Sequence, residues 1–234
     1  MVHAGVRSIG AVTGGANVIV QALLDAVGSD GTLAAYLDFE PFYSEDDEVE
    51  VPVFDKRIAR AARDHGVLHE IIRTWPGTCR SNHPDAGVVA IGALAHWIVA
   101  DHPFQYGYGE GSPLEKIVQA RGRVLMLGAP LDTITLLHYA EHKAQIPDKR
   151  IRRYCRLMPG LEGPEWLQFE EFDTTEPVHD TLPSNCFEQI AHDYLSAGGG
   201  SKGLIGAASS FLFDGPELID FATQWLERYV RKMT

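Results

Sequence analysis

Arg123-Val124-Leu125-Met126-Leu127-Gly128-Ala129-Pro130-Leu131-Asp132-Thr133-Ile134-Thr135-Leu136-Leu137-His138-Tyr139-Ala140-Glu141-His142 carries two kinds of order in twenty residues. Arg123 to Gly128 is a continuous apolar run, the pattern of a strand covered on both faces. After the Gly128-Ala129-Pro130 break, Thr135 to Lys143 turns to helical spacing. A strand buried on both sides and followed by a helix belongs to a layered α/β protein. His138 then falls just beyond the carboxyl end of a strand, where open α/β sheets bind their ligands.

The same alternation extends outward. Asn17 to Val27 has apolar residues at helical spacing and ends at Gly28; Thr32 to Leu37 reads as a short buried strand. Leu68 to Thr74 and Ala93 to Val99 read as helical pieces. Ser112-Pro113-Leu114-Glu115 is a helix start, with a capping serine, proline at the first position and a glutamate completing a capping box. Ile151 to Met158 and Trp166 to Phe172 can pair as a hairpin, and Asn185 to Leu195 is a further helix. A last helix from Pro216 to about Arg231 presents Leu218, Phe221, Ala222, Trp225, Leu226 and Tyr229 as one stripe. Ala197 to Gly203 reads as a flexible connection. The expected architecture is one α/β/α-layered domain with a central sheet and an inserted β-hairpin.

Bulk properties exclude several classes. The chain has 234 residues, 45% of them hydrophobic and 22% charged, which is the composition of a folded globular protein. A net charge of −12 leaves no surplus of cations to displace counterions from phosphate, so nucleic acid is not an expected partner. That charge favours a cationic one. Three cysteines, none in a CxxC pair, fit a reducing cytoplasm. The most apolar stretch, Val88 to Ala100, is shorter than the ~20 residues a membrane helix needs.

Three chemical readings compete for His138. With Glu141 and His142 it forms H-x-x-E-H, a zinc-hydrolase arrangement that would need a further carboxylate such as Glu188. Without metal, His138 is a general base near neutral pH, with Glu188 one possible supporting carboxylate. The bland alternative is a pair of helix histidines with no chemical role, and Glu188 as an ordinary first-turn acid. The acidic run Glu45-Asp46-Asp47-Glu48 reads as a solvated loop.

Val2-His3-Ala4-Gly5-Val6-Arg7 through Gly14-Gly15, Arg80-Ser81-Asn82-His83-Pro84-Asp85-Ala86-Gly87 with Gly109-Glu110-Gly111-Ser112-Pro113-Leu114, and Leu127 to Glu141 together resemble the aminoglycoside 3-N-acetyltransferase family. Weaker echoes at Glu171-Phe172-Asp173-Thr174 and Phe187-Glu188-Gln189-Ile190-Ala191 extend the likeness over nearly the whole chain. The resemblance implies transfer of an acetyl group from acetyl-CoA to the 3-amino group of a 2-deoxystreptamine antibiotic, without metal. It implies His138 as catalytic base and Glu188 as its carboxylate. It also implies cofactor contacts from Ala4, Gly5, Val6 and Arg7, with Ser81 and Ser112 nearby. Asp38, Glu171 and Asp173 are the expected carboxylates for a polycationic substrate, and the protein is expected to act as a monomer or homodimer. Gly5 departs from the family, where serine is common. The usual N-terminal helical segment is also expected to be missing from a single domain over residues 1–234. Two rivals stay open: an acetyltransferase of the same family for another amine, and a non-catalytic protein that binds CoA or aminoglycoside.

Overall fold

Continuous apolar runs along the central strands place apolar side chains on both sheet faces, so both are covered. The computed structural model describes residues 1–38 and 52–233, and the acidic run Glu45 to Glu48 lies outside them. In chain order the elements are β1 (Val2–Ala4), α1 (Ala16–Val27), β2 (Thr32–Tyr36), α2 (Val67–Thr74), β3 (Cys79–Arg80), β4 (Val88–Gly92), α3 (Ala95–Val99), α4 (Pro113–Gln119) and β5 (Arg123–Leu127). Then follow α5 (Leu137–Lys143), the hairpin β6 (Ile151–Pro159) and β7 (Pro164–Phe172), α6 (Cys186–Ser196), β8 (Ser201–Ile205), β9 (Ala208–Asp214) and α7 (Gly215–Met233).

The central layer is two sheets. One is four-stranded and mixed, in the order β1-β5-β9-β8, with β1 parallel to β5. The other is antiparallel, in the order β2-β4-β3. Side chains two apart on a strand share a face. Val88 and Ala90 therefore join Val124 and Met126 in a core under α4 to α7, while Val89 and Ile91 join Leu127 in a core under α1 and α2. This is the expected three-layer arrangement. Among the described residues no helix is long and apolar enough to cross a membrane.

Local signals act as their chemistry dictates. The Glu115 N–H donates to Ser112 Oγ at 3.2 Å, and Glu115 Oε2 accepts from Gly111 N at 2.7 Å, so the capping box closes one residue early. Tyr139 Oη donates to Glu115 Oε1 at 2.9 Å and ties α4 to α5. The hairpin pairs from Ile151–Phe172 to Pro159–Pro164. Met158 and Phe169 of the hairpin pack on Phe54, and Arg156 Nε donates to Asp85 Oδ1 at 3.1 Å.

Two segments differ from the sequence reading. Part of the expected flexible connection is β8, an edge strand with every residue exposed. It has no apolar alternation to announce it and exists through its ladder to β9. β4 was hidden inside the long apolar stretch from Val88, where a buried strand and a buried helix look alike.

Candidate active site

β1 and β5 run parallel, so their carboxyl ends, Ala4 and Leu127, lie side by side. Gly5 N donates to Leu127 O at 2.9 Å and begins a 3-10 turn over Val6–Ile9. A Cβ on residue 5 would come within 2.4 Å of Gly128 O, so glycine lets the two strand-end loops approach this closely. Ala4 to Arg7 therefore form one loop of the carboxyl edge, with Arg7 exposed. The β5 loop is the other, and it leads through a second 3-10 turn, Leu131–Thr133, into α5 and His138.

His138 Nδ1 donates to Glu141 Oε2 at 2.6 Å. The two are three residues apart on α5, which brings their side chains over one another. The Glu141 side chain is 4% exposed and that of His138 19%, so the carboxylate is sealed while the imidazole reaches the surface of a cavity. The imidazole sits between the rings of Tyr108 and Phe187, each 4.9 Å away between centroids. With Nδ1 committed as a donor, Nε2 holds the free lone pair. A ring fixed in plane, tautomer and position can take up a proton.

The cavity beside His138 has a volume of about 280 Å³ and is walled by Asp132, Glu141, Thr174, Thr175, Glu176, Cys186 and Phe187 among others. Three of these are carboxylic acids, which suits a cationic guest. Burial pushes the Cys186 thiol up to about 12, with nearby Glu141 adding to the effect, so it remains protonated at neutral pH. A larger cavity, about 500 Å³, lies elsewhere, between Met1, Val27, Leu94 and Arg121, and has no histidine in its lining. Chemistry rather than size singles out the smaller one.

The carboxylate that meets His138 is Glu141, not Glu188. Glu188 lies one turn into α6 with its side chain 48% exposed, and its partner is His192 at 3.9 Å. His142, the other histidine of the H-x-x-E-H segment, turns to a different acid: its Nε2 donates to Glu171 Oε1 at 2.8 Å. The two histidines are thus engaged by separate carboxylates. Among the described residues no group of three or more His, Cys, Asp or Glu is placed to hold a metal ion.

Other expected site residues have local partners. Glu171 is only 5% exposed, and besides His142 it accepts from the backbone N–H groups of Phe172 and Tyr108, so it does not face an open cleft. The period-two alternation of β7 turns it inward with Phe169. Asp38 Oδ1 pairs with His65 Nε2 at the end of β2. Asp173 is pulled upward by burial, but the Thr175 hydroxyl and N–H outweigh this and hold it below the usual carboxylate range. It thereby shapes the Thr174–Pro177 wall of the cavity. Ser81 Oγ accepts from Val88 N at 2.9 Å, and Ser112 is the α4 cap; both are fully buried. Asp132 and Glu176, which do line the cavity, carried no signal of their own in sequence. Glu141 did, through its i, i+3 spacing from His138.

A half-buried histidine held by a buried carboxylate thus opens on a cavity lined by three carboxylic acids at the carboxyl edge of an α/β sheet. Residues 1–227 match the aminoglycoside 3-N-acetyltransferase family. The chain is 46% identical over 239 residues to an aminoglycoside N(3)-acetyltransferase III of Pseudomonas aeruginosa, spanning 97% of this chain and 86% of that protein. It is 39% identical to an aminoglycoside N(3)-acetyltransferase VIII of Streptomyces fradiae, spanning 97% and 85%. Among solved structures, AAC-IIIb in binary complex with CoASH superposes with a TM-score of 0.92 at 49% identity, covering 97% of this chain and 89% of that one. Sisomicin-bound AAC-VIa gives 0.89 at 32% identity, covering 97% and 90%. The chain belongs to the aminoglycoside 3-N-acetyltransferase family.

Proposed function

We propose that the protein transfers the acetyl group of acetyl-CoA directly to the 3-amino group of a 2-deoxystreptamine aminoglycoside, with His138 as general base. The observation that carries this reading is the His138–Glu141 pair on the wall of an acidic cavity. A thioester needs no metal activation; it needs a neutral amine, aligned, and relief for the developing oxyanion. The amine nitrogen attacks the thioester carbonyl carbon, forming the C–N bond. His138 Nε2 takes the proton from that nitrogen, and Glu141 accepts the Nδ1–H of the imidazolium that results. The C–S bond then breaks, and the departing CoA thiolate takes up the proton held by His138, which restores the neutral imidazole.

Asp132 and Glu176 offer the remaining ammonium groups of the substrate a negative wall. Asp173 holds that wall in shape, and Asp38 marks a second acidic point at the end of β2. The loop Ala4 to Arg7 lies at the same strand edge as the loop leading to His138, which suits it to meet the cofactor. Protonated Cys186 is a poor acyl acceptor, which favours direct transfer over an acyl-enzyme. Three free cysteines suit a cytoplasmic setting, where acetyl-CoA is available.

The test is His138→Ala assayed with acetyl-CoA and a panel of aminoglycosides. Loss of a general base lowers kcat by about 10²–10⁴-fold while substrate binding persists. Wild-type turnover in a folded His138→Ala protein would overturn the assignment. Acetylation of a different amine in place of the antibiotics would move the acceptor but keep the chemistry.

A further inference from the structure

Glu171 is a carboxylic acid in the protein interior whose described hydrogen-bond partners are one histidine and two backbone amides. Burying a carboxylate is costly, and an apolar residue would fill the place more cheaply if packing were its only task. Its two oxygens divide between two parts of the fold. Oε1 accepts from His142 Nε2 on α5 at 2.8 Å and from Phe172 N at 2.7 Å, while Oε2 accepts from Tyr108 N at 3.2 Å. Tyr108 is the residue whose ring lies against His138.

The loop that carries Tyr108 is pressed onto α5 from several directions. A Cβ on Gly109 would stand 2.6 Å from His142 Nδ1, so glycine there lets the loop backbone close on that ring. Tyr106 holds a φ of +52°, unusual for a residue that carries a side chain, and its N–H donates to Glu170 O at 2.8 Å. The far end of Tyr108 is anchored too: its hydroxyl lies 2.7 Å from Tyr36 Oη and 3.1 Å from Asp85 O. Glu171 fixes the backbone end of a ring whose hydroxyl end is already fixed.

Resting on the acetyltransferase reading above, we infer that Glu171 is a positioning residue for the transfer: it clasps the Tyr108 loop to α5 and thereby sets the Tyr108 ring that holds the His138 imidazole in place. Glu171 touches neither the reacting atoms nor the open cavity. It acts through Tyr108, and His142 is the other half of the clasp.

The experiment is a kinetic cycle on the full chain with Glu171→Gln, Tyr108→Ala and the double variant, each checked by thermal melting and assayed well below its midpoint. A misplacement of about 1 Å costs about 10²-fold in rate. Glu171→Gln is therefore expected to lower kcat by about 10–100-fold, with KM for both substrates within about two-fold. In the Tyr108→Ala background the same change should add less than about three-fold, because residues acting through one another are not additive. Gly109→Ala, which pushes the loop off the His142 ring, should reproduce the kcat loss, and it serves if Glu171→Gln does not fold. A rise in KM at constant kcat, full multiplication of the two effects, or a lowered melting point with unchanged kcat would each overturn the inference. A wild-type protein unable to acetylate any amine would instead overturn the reading beneath it.

Discussion

Replacing Glu141 by Gln tests which carboxylate supports the base. The substitution keeps the size of the side chain and one acceptor oxygen for His138 Nδ1, but removes the charge from a group 4% exposed to solvent. A hydrogen bond to a charged partner is worth roughly 1.5–3 kcal/mol, against roughly 0.5–1.5 for a neutral one. The carboxylate matters most when His138 becomes an imidazolium in the transition state, so the loss of about 1–2 kcal/mol falls on kcat. That corresponds to about 5–30-fold in rate. The assay follows release of the CoA thiol with a chromogenic disulfide at saturating acetyl-CoA. Glu188→Gln, at an exposed position beside His192, is the comparison and should stay within about two-fold of wild type. Wild-type kcat in a folded Glu141→Gln protein, or a larger loss from Glu188→Gln, would refute the reasoning.

Acid should destabilise the fold through three buried histidines. Burial, with nearby histidines adding to it, drives His3 and His83 down to about 3, and burial drives His102 to about 4, all from an ordinary 6.5. His83 shows why the neutral form is needed: its Nδ1 accepts from the N–H groups of Asp85 and Ala86. The unfolded chain takes up these protons as pH falls below about 6.5 and the folded one does not until about 3–4, so stability is complete above the upper limit and lost through that window. At most about 1.4 kcal/mol per pH unit comes from each group. Urea unfolding at pH 6.5 and 5.0 checks it, and equal stability at the two values would contradict it. Ser112→Ala should lower stability by about 1 kcal/mol through loss of the α4 cap and leave KM for acetyl-CoA unchanged; a marked KM effect would return Ser112 to the cofactor site.

Much of the fold was legible because its signals are local. The Arg123 to Leu127 run, the Ser112-Pro113 helix start and the stripe on the last helix each depend on spacings of two to four residues. His138 was legible for a related reason: its place just past a strand end follows from chain order. The Glu141 contact obeys an equally local rule, since residues three apart on a helix share a face. β8 left no local trace because an exposed edge strand owes its form to its neighbour.

By itself, the sequence determined an acidic α/β protein of three layers with one histidine poised at a strand end. Only the tertiary structure decided what surrounds that histidine. Glu171 and Glu188 look alike as letters; one is turned into the core of β7 to meet His142 and Tyr108, and the other stands in solvent on α6. Asp132 and Glu176 become cavity walls because segments far apart in the chain close around one space. The physical reason is one of range. Periodicity, caps and turns are fixed by neighbours a few residues away, whereas a carboxylate's role depends on which distant donors packing brings within about 3 Å of it.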